Sequence, residues 1–241
     1  MKYIKRTIAI LGITSLLGVM PAAVSAREAQ IPLKATNFQE YYNQGVQNLE
    51  QGNFNGAMSD DKPLRVYADF NSVVQMNPRF YEGFCLRGLA KSQLRDFSAA
   101  ISDFNLALRL NPKHTDAYNG RGISYVELGD FQKAIADFNQ TVKIDPNSQD
   151  GYYNLGLAHF RQGNHQQAIP SDSFANADFN QALQINPNLA DAYGNRGLAQ
   201  YASGDSKSAV TDLQQAAKLF LKQGDTQAYQ QTQALIQQIQ R

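Results

Sequence analysis

Three histidines, one cysteine and 21 acidic residues are the side chains of this 241-residue chain that could carry acid–base, nucleophilic or metal chemistry. Their spacing does not assemble it. His159 and His165 are six residues apart, which places them on different faces of a helix or across a turn, and no third ligand stands at usable spacing. His114 lies far from both in sequence. No HExxH, GK[ST] phosphate loop, GxSxG elbow or CxxC pair occurs. Gly120-Arg121-Gly122 falls inside a helix-patterned run and is no phosphate turn. Cys85, the single cysteine, cannot form an internal disulfide and reads as a small apolar residue on a helix. Asn139-Gln140-Thr141 matches the glycosylation sequon but sits mid-helix. The expectation is a chain that is not an enzyme, with no metal and no cofactor.

Charge narrows the partners. The formal net charge is +1. Lys2, Lys5 and Arg6 lie in residues 1–26, which hold no acid; without them 22 basic residues fall to 19 against 21 acids. So balanced a chain has no broad basic field for nucleic acid and no Lys/Arg cluster for anionic lipid.

Residues 1–26 have a basic start, an apolar stretch over about residues 7–19, Pro21 as a breaker and Val24-Ser25-Ala26 as a small-residue cleavage site. That is the pattern of a secretory signal peptide, with the mature chain expected to begin at Arg27. No later run approaches the eighteen apolar residues of a spanning helix, so no integral membrane span is expected after cleavage. Residues 27–37 read as a linker, and Asn37 is placed to cap a following helix.

The elements that position everything else repeat. Pro78, Pro112 and Pro146 are 34 residues apart, and Pro187 follows after 41. Each sits in Asn-Pro or Asp-Pro, where the residue before proline is pushed out of the α region and a helix ends. A 34-residue period is the sequence sign of stacked helix–turn–helix units. The least edited unit, 115–148, carries Tyr118, Gly122, Tyr125, Ala134, Phe138 and Pro146. Five units are predicted, over about 38–78, 81–112, 115–148, 149–187 and 190–221. The fourth is aligned on Tyr152, Gly156, Ala168, Phe179 and Ala182. Insertions are expected near 59–67 and 170–176, each either breaking the second helix or lengthening loop and helix start together. Gly88, Gly122, Gly156 and Gly197 mark where two helices of one unit cross closely. A last helix over 225–241, capped from Asp225 or Thr226, has one apolar face and one glutamine-rich face, as a stack's final cover requires.

These positions resemble the tetratricopeptide repeat, in all five units over roughly 38–221. Thr141 and Leu213 depart from the family pattern, as do Lys91 and His159 where an aromatic often stands. The resemblance implies an all-α, right-handed superhelix of stacked helix–turn–helix repeats with a C-terminal capping helix, and a concave groove lined by the first helices. Carried over residue by residue, the groove would hold Tyr42, Val46, Glu82, Leu89, Asp116, Asn119, Ile123, Asp150, Tyr153, Leu157, Asp191 and Leu198. That is an acidic edge beside an apolar row, suited to a protein or peptide segment with apolar anchors and some Lys or Arg. The acids equally favour a helix N-terminus. The family's carboxylate clamp is not matched, since Arg87, Arg121 and Arg196 stand at packing positions. The function implied is a non-enzymatic protein- or peptide-binding scaffold of the cell envelope, in a periplasm or outside the cell, with a thylakoid lumen as the other compartment. The alternatives are an assembly or stability factor for an envelope or photosynthetic complex, and an enzyme or small-ligand binder built on the insertions.

Overall fold

The computed structural model describes residues 38–50, 63–166 and 170–240. The expected signal peptide, the linker and the cap at Asn37 lie outside these residues. Among the described residues there are eleven helices and no strand. In chain order they are α1 (Phe38–Glu50), α2 (Pro63–Met76), α3 (Tyr81–Gln93), α4 (Phe97–Leu110), α5 (Thr115–Glu127), α6 (Phe131–Ile144), α7 (Gln149–Gln166), α8 (Pro170–Ile185), α9 (Ala190–Ala202), α10 (Ser206–Gln223) and α11 (Thr226–Ile239). The chain divides into two compact units, Met1–Gly120 and Arg121–Arg241. Within each, helices pack on their sequence neighbours, α1 on α2 and α2 on α3 in the first, α7 on α8 and α10 on α11 in the second. This is the all-α, stacked helix-pair architecture that the 34-residue period predicts.

Local chemistry sets the helix ends. Asp96, Asp130 and Asp205 cap α4, α6 and α10 by accepting from the backbone N–H of Ala99, Lys133 and Ser208 at 3.1, 3.3 and 3.0 Å. Gly129 and Gly204 take the positive φ that the preceding turn requires, at 79° and 90°. In the α3–α4 turn the same place is held by Arg95 at φ 63°, a left-handed conformation without glycine's freedom. At the other turns the residue before each proline closes a local ring: Asn77, Asn111, Asp145 and Asn186 accept from the N–H two residues on, at 3.0–3.2 Å. The Asn-Pro and Asp-Pro steps thus both stop one helix and shape the entry to the next.

The core is a ring laid on a glycine. Phe70, Phe104, Phe138 and Phe179 are buried to 1% exposure or less. A Cβ added to Gly45, Gly88, Gly122 or Gly156 would meet the ring of its own unit at 2.6–2.9 Å, and one on Gly197 would meet Leu213 Cγ at 3.0 Å. Each buried Phe contributes about 1.5–3 kcal/mol, and the contact is made only because glycine leaves room for it. Leu213 in place of an aromatic keeps the arrangement with a smaller filler.

The helix limits bear on where the two insertions lie. α2 has the same 14 residues as α4 and α6 and begins at Pro63, so Pro63, Leu64, Arg65, Val66 and Tyr67 belong to the ordinary second helix. The extra residues of the first unit therefore fall in 51–62, outside the described residues. In the fourth unit, residues 170–176 are helical. α7 has 18 residues against 13 in α3, α5 and α9, and α8 has 16 against 14 in α4 and α6. The insertion is taken up as helix at the end of α7 and at the start of α8. It also moves the register: Ala175, fully buried and four residues before Phe179, holds the place of Ala100 and Ala134, and its carbonyl lies 3.2 Å from a Cβ on Gly156. Ala168, the residue expected there, lies outside the described residues. The fifth unit likewise runs two residues past the expected 221, to Gln223.

The final helix behaves as its pattern predicts. Asp225 accepts from Ala228 N–H at 2.9 Å, Gly224 turns the chain at φ 78°, and Ala228, Thr232 and Ile236 are buried. Its outer residues Gln230, Gln231, Gln237 and Gln238 are exposed. No helix among the described residues is long and apolar enough to cross a membrane.

Candidate functional site

The cationic side chains nearest the core are already committed. Arg87 holds Asp103 with two bonds, Nε to Oδ2 at 2.9 Å and Nη2 to Oδ1 at 2.6 Å, and donates through Nη1 to Asn71 of the preceding unit at 2.8 Å. Arg121 clasps Asp137 in the same way at 2.8 and 2.6 Å. Arg196 clasps Asp212 at 2.6 Å through both nitrogens and reaches Asn180 of the preceding unit at 2.5 Å. Planar guanidinium matched to carboxylate gives orientation as well as charge. Burial raises the Asp137 carboxyl above its usual range, with Arg121 pulling the other way. Lys91 adds a 2.9 Å contact to Asp103, and in the fourth unit His159 Nδ1 meets Asp178 Oδ2 at 2.7 Å. In the first unit Asn48 donates to Asp69 at 3.2 Å. The polar residues that break the family pattern at this place thus serve the aspartate of the second helix.

In the first compact unit, six of the expected groove residues are described. Tyr42 donates its hydroxyl to Glu82 at 3.2 Å, which joins two successive first helices. Burial and the Glu82 carboxylate push the Tyr42 hydroxyl up to about 12. Val46 and Leu89 are half-buried and pack with Tyr42 on the Leu49, Phe70, Leu86 and Ala90 cluster. Asn119 is buried at 6% exposure, and its Oδ1 has no hydrogen-bond partner. Glu82 and Asp116 act together on their neighbours. Burial, then Asp116 and Glu82, raise the Cys85 thiol well above its usual value. Burial lowers the His114 imidazole while the same two carboxylates oppose it. Cys85 is a buried free thiol, as a small apolar residue would be.

In the second unit Ile123 packs against Val126, Ala134, Phe138, Leu155 and Ala158. Tyr153 and Leu157 pack on Ala175, Phe179, Leu183, Ala192 and Ala199. Tyr153 accepts from Asn195 Nδ2 at 2.9 Å, and burial with the Asp191 carboxylate raises its hydroxyl. Asp150 accepts from Gln149 at 3.3 Å, and Leu198 is half-buried. Asp191 is half-buried in the first turn of α9; burial, then Asp225, push its carboxyl up to about 6. The expected apolar row is therefore half spent on the core, and the acids Glu82, Asp116, Asp150 and Asp191 are half-buried beside it. No group of His, Cys, Asp and Glu suited to a metal occurs among the described residues. Thr141, the last residue of the sequon, is fully buried in α6.

The Arg–Asp clasps are what sequence reading missed. Arg87, Arg121 and Arg196 each precede their aspartate by 16 residues. That fixed offset, repeated, was the available signal.

Family models match this geometry. A TPR repeat model matches residues 124–163, and a tetratricopeptide repeat model matches 81–114 and 190–223. The chain is a tetratricopeptide-repeat protein. Solved structures of similar fold include a MamA structure from Desulfovibrio magneticus RS-1, at 19% identity and TM-score 0.63, covering 77% of this chain and 96% of that one. PilW, described as a widely conserved type IV pilus biogenesis factor, matches at 15% identity and TM-score 0.63 over 83% of this chain and 92% of that one. YrrB, described as a TPR protein with an unusual peptide-binding site, matches at 16% identity and TM-score 0.58 over 82% and 92%. At these identities the likeness is one of fold. Comparison with curated protein sequences gives no match. The tetratricopeptide units here differ chiefly in the polar partner given to the aspartate of the second helix and in the length of α7 and α8.

Proposed function

We propose that this chain is a non-enzymatic scaffold exported to the cell envelope, which holds a partner protein's segment carrying apolar anchors and Lys or Arg. The observation that carries the reading is the division of charge. Arg87, Arg121 and Arg196 are each taken up by an aspartate of their own unit. Two first-turn acids contrast with them: Glu82 is bonded by a neutral hydroxyl, and burial with Asp225 raises the Asp191 carboxyl. Acids placed in this way in each unit favour a basic segment and disfavour an acidic tail or a free C-terminus. YrrB is described as having a peptide-binding site on the same fold, which supports a peptide rather than a small molecule as ligand.

Export rests on residues 1–26, and a periplasm or the cell exterior is the expected compartment, with a thylakoid lumen as the variant. The narrower reading is an assembly factor for an envelope complex; the description of PilW as a pilus biogenesis factor favours it. The test is affinity capture with the mature chain from envelope extract, followed by mass spectrometry. The double variant Asp116→Lys with Asp150→Lys is expected to lose the captured partner, and capture at the unchanged level overturns the groove. Intact mass of the exported chain is expected to place its first residue at Arg27.

A further inference from the structure

One helical glycine stands where packing does not require it. A glycine inside a helix is less stable than alanine, because its backbone loses more freedom on folding. At Gly83, Gly88, Gly122, Gly151, Gly156 and Gly197 close packing accounts for it: a Cβ there would stand 3.0 Å or less from a neighbouring side chain. At Gly194, in α9, a Cβ would meet only Ala216 Cβ, at the ordinary contact distance of 4.0 Å. The fifth residue of the other first helices is Tyr42, Cys85, Asn119 or Tyr153, so α9 alone carries no side chain at this place. Gly194 is half-buried, and the space beside it reaches solvent.

Unanswered polar groups border that space. Asp191, three residues before Gly194, and Leu198, four after it, share its face of α9 and are half-buried. Among the described residues no side chain bonds the Asp191 carboxylate, and burial raises it. The nearby arginines are committed, Arg196 to Asp212 and Arg161 to Glu127. Asn195, next to Gly194, donates to the Tyr153 hydroxyl of α7 at 2.9 Å, which leaves the hydroxyl proton to donate elsewhere. We propose that the space over Gly194 seats the main chain of the bound segment, and that Asp191 takes a lysine or arginine side chain of that segment. This seat presupposes the groove described above and narrows it to one place. A helix without a Cβ lets another backbone approach closely. The half-buried carboxylate then makes a charge-assisted bond to the basic side chain. The Tyr153 hydroxyl donates to a main-chain carbonyl of the segment, and Leu198 offers the apolar contact beside it.

The probe is an end-blocked peptide, alanine–leucine–arginine–leucine–alanine, titrated into the isotope-labelled mature chain and followed by amide chemical shifts. Shifts are expected at Asp191, Gly194, Asn195 and Leu198. Glutamate in place of the peptide's arginine should weaken binding by about tenfold or more, as should Asp191→Asn in the protein. Gly194→Leu fills the space and should weaken binding to a similar extent. Gly194→Ala tests the glycine itself: it should raise the thermal midpoint by about 2–4 °C, since no contact requires glycine there. A lowered midpoint in that variant, or unchanged peptide binding by Gly194→Leu, overturns the proposal. Shifts confined to Glu82, Asp116 or Asp150 would overturn this seat and leave the groove standing. No shift at all overturns the seat too, and the groove is then judged separately by capture with the Asp116→Lys, Asp150→Lys chain.

Discussion

In the α3–α4 pair, Arg87 and Lys91 both reach Asp103, which is 2% exposed. In the α7–α8 pair, Asp178 meets His159 alone, because Leu155 stands where Arg87 does in the other. The apolar crossing is nonetheless the same: a Cβ on Gly88 or on Gly156 would stand 2.9 Å from the ring of Phe104 or Phe179. The helices are 13 and 14 residues long in the first pair and 18 and 16 in the second. Helix can be added beyond the crossing without disturbing it, because the close contact is local to one glycine and one ring. The polar clasp beside the crossing is the adjustable part: it must hold one aspartate, which two cationic side chains do for Asp103 and one imidazole nitrogen does for Asp178.

The comparison is best broken at its shared part. Phe104→Ala and Phe179→Ala should each cost about 3–5 kcal/mol, read by equilibrium urea unfolding, and the two losses should agree to within about 1 kcal/mol. A much smaller loss at Phe179 would show that the added helix, not the crossing, holds the fourth unit. The clasps should then separate the two pairs. Asp103→Ala leaves Arg87 and Lys91 beside a buried void and should cost about 3–5 kcal/mol. Asp178→Ala removes a single 2.7 Å contact to His159 and should cost about 1–2 kcal/mol. Equal losses would mean that charge is not what distinguishes them.

Smaller effects sharpen the register. Ala175→Leu should overpack the α7–α8 crossing by about 1–3 kcal/mol, as Ala134→Leu should in α6. An unchanged melting midpoint for Ala175→Leu would return the alignment to Ala168. The smallest change runs the other way. Arg95→Gly relieves a left-handed backbone at the cost of a stacking contact between the guanidinium and Phe97 at 5.6 Å. It should raise stability by about 0.5–1 kcal/mol, seen as a higher thermal midpoint. Gly129→Ala, with φ 79°, should lower it by a similar amount.

Much of this fold was legible in the sequence for reasons that are local. A proline ends a helix wherever it falls, an aspartate after a turn caps the next helix, and a glycine–phenylalanine pair at fixed spacing has one packing solution. The fourth unit defeated that logic. Seven added residues are close to two helical turns, so Ala168 and Ala175 present nearly the same helical phase. Only packing against Gly156 separates them. The candidate groove was legible as positions and not as availability. Val46, Leu89, Ile123 and Leu157 were placed on the right helices, but how far each sinks into the core depends on the neighbouring helix.

By itself the sequence determined the period, the helix stops at the prolines, the ring-on-glycine core and the absence of the sought catalytic motifs, because each follows from short-range sterics or spacing along one chain. Tertiary structure alone decided which charges are spent and which remain. Arg87 and Asp103, or His159 and Asp178, become neighbours only when helices stack. The free energy of a charge depends on its burial and on the sign of what faces it across that stack.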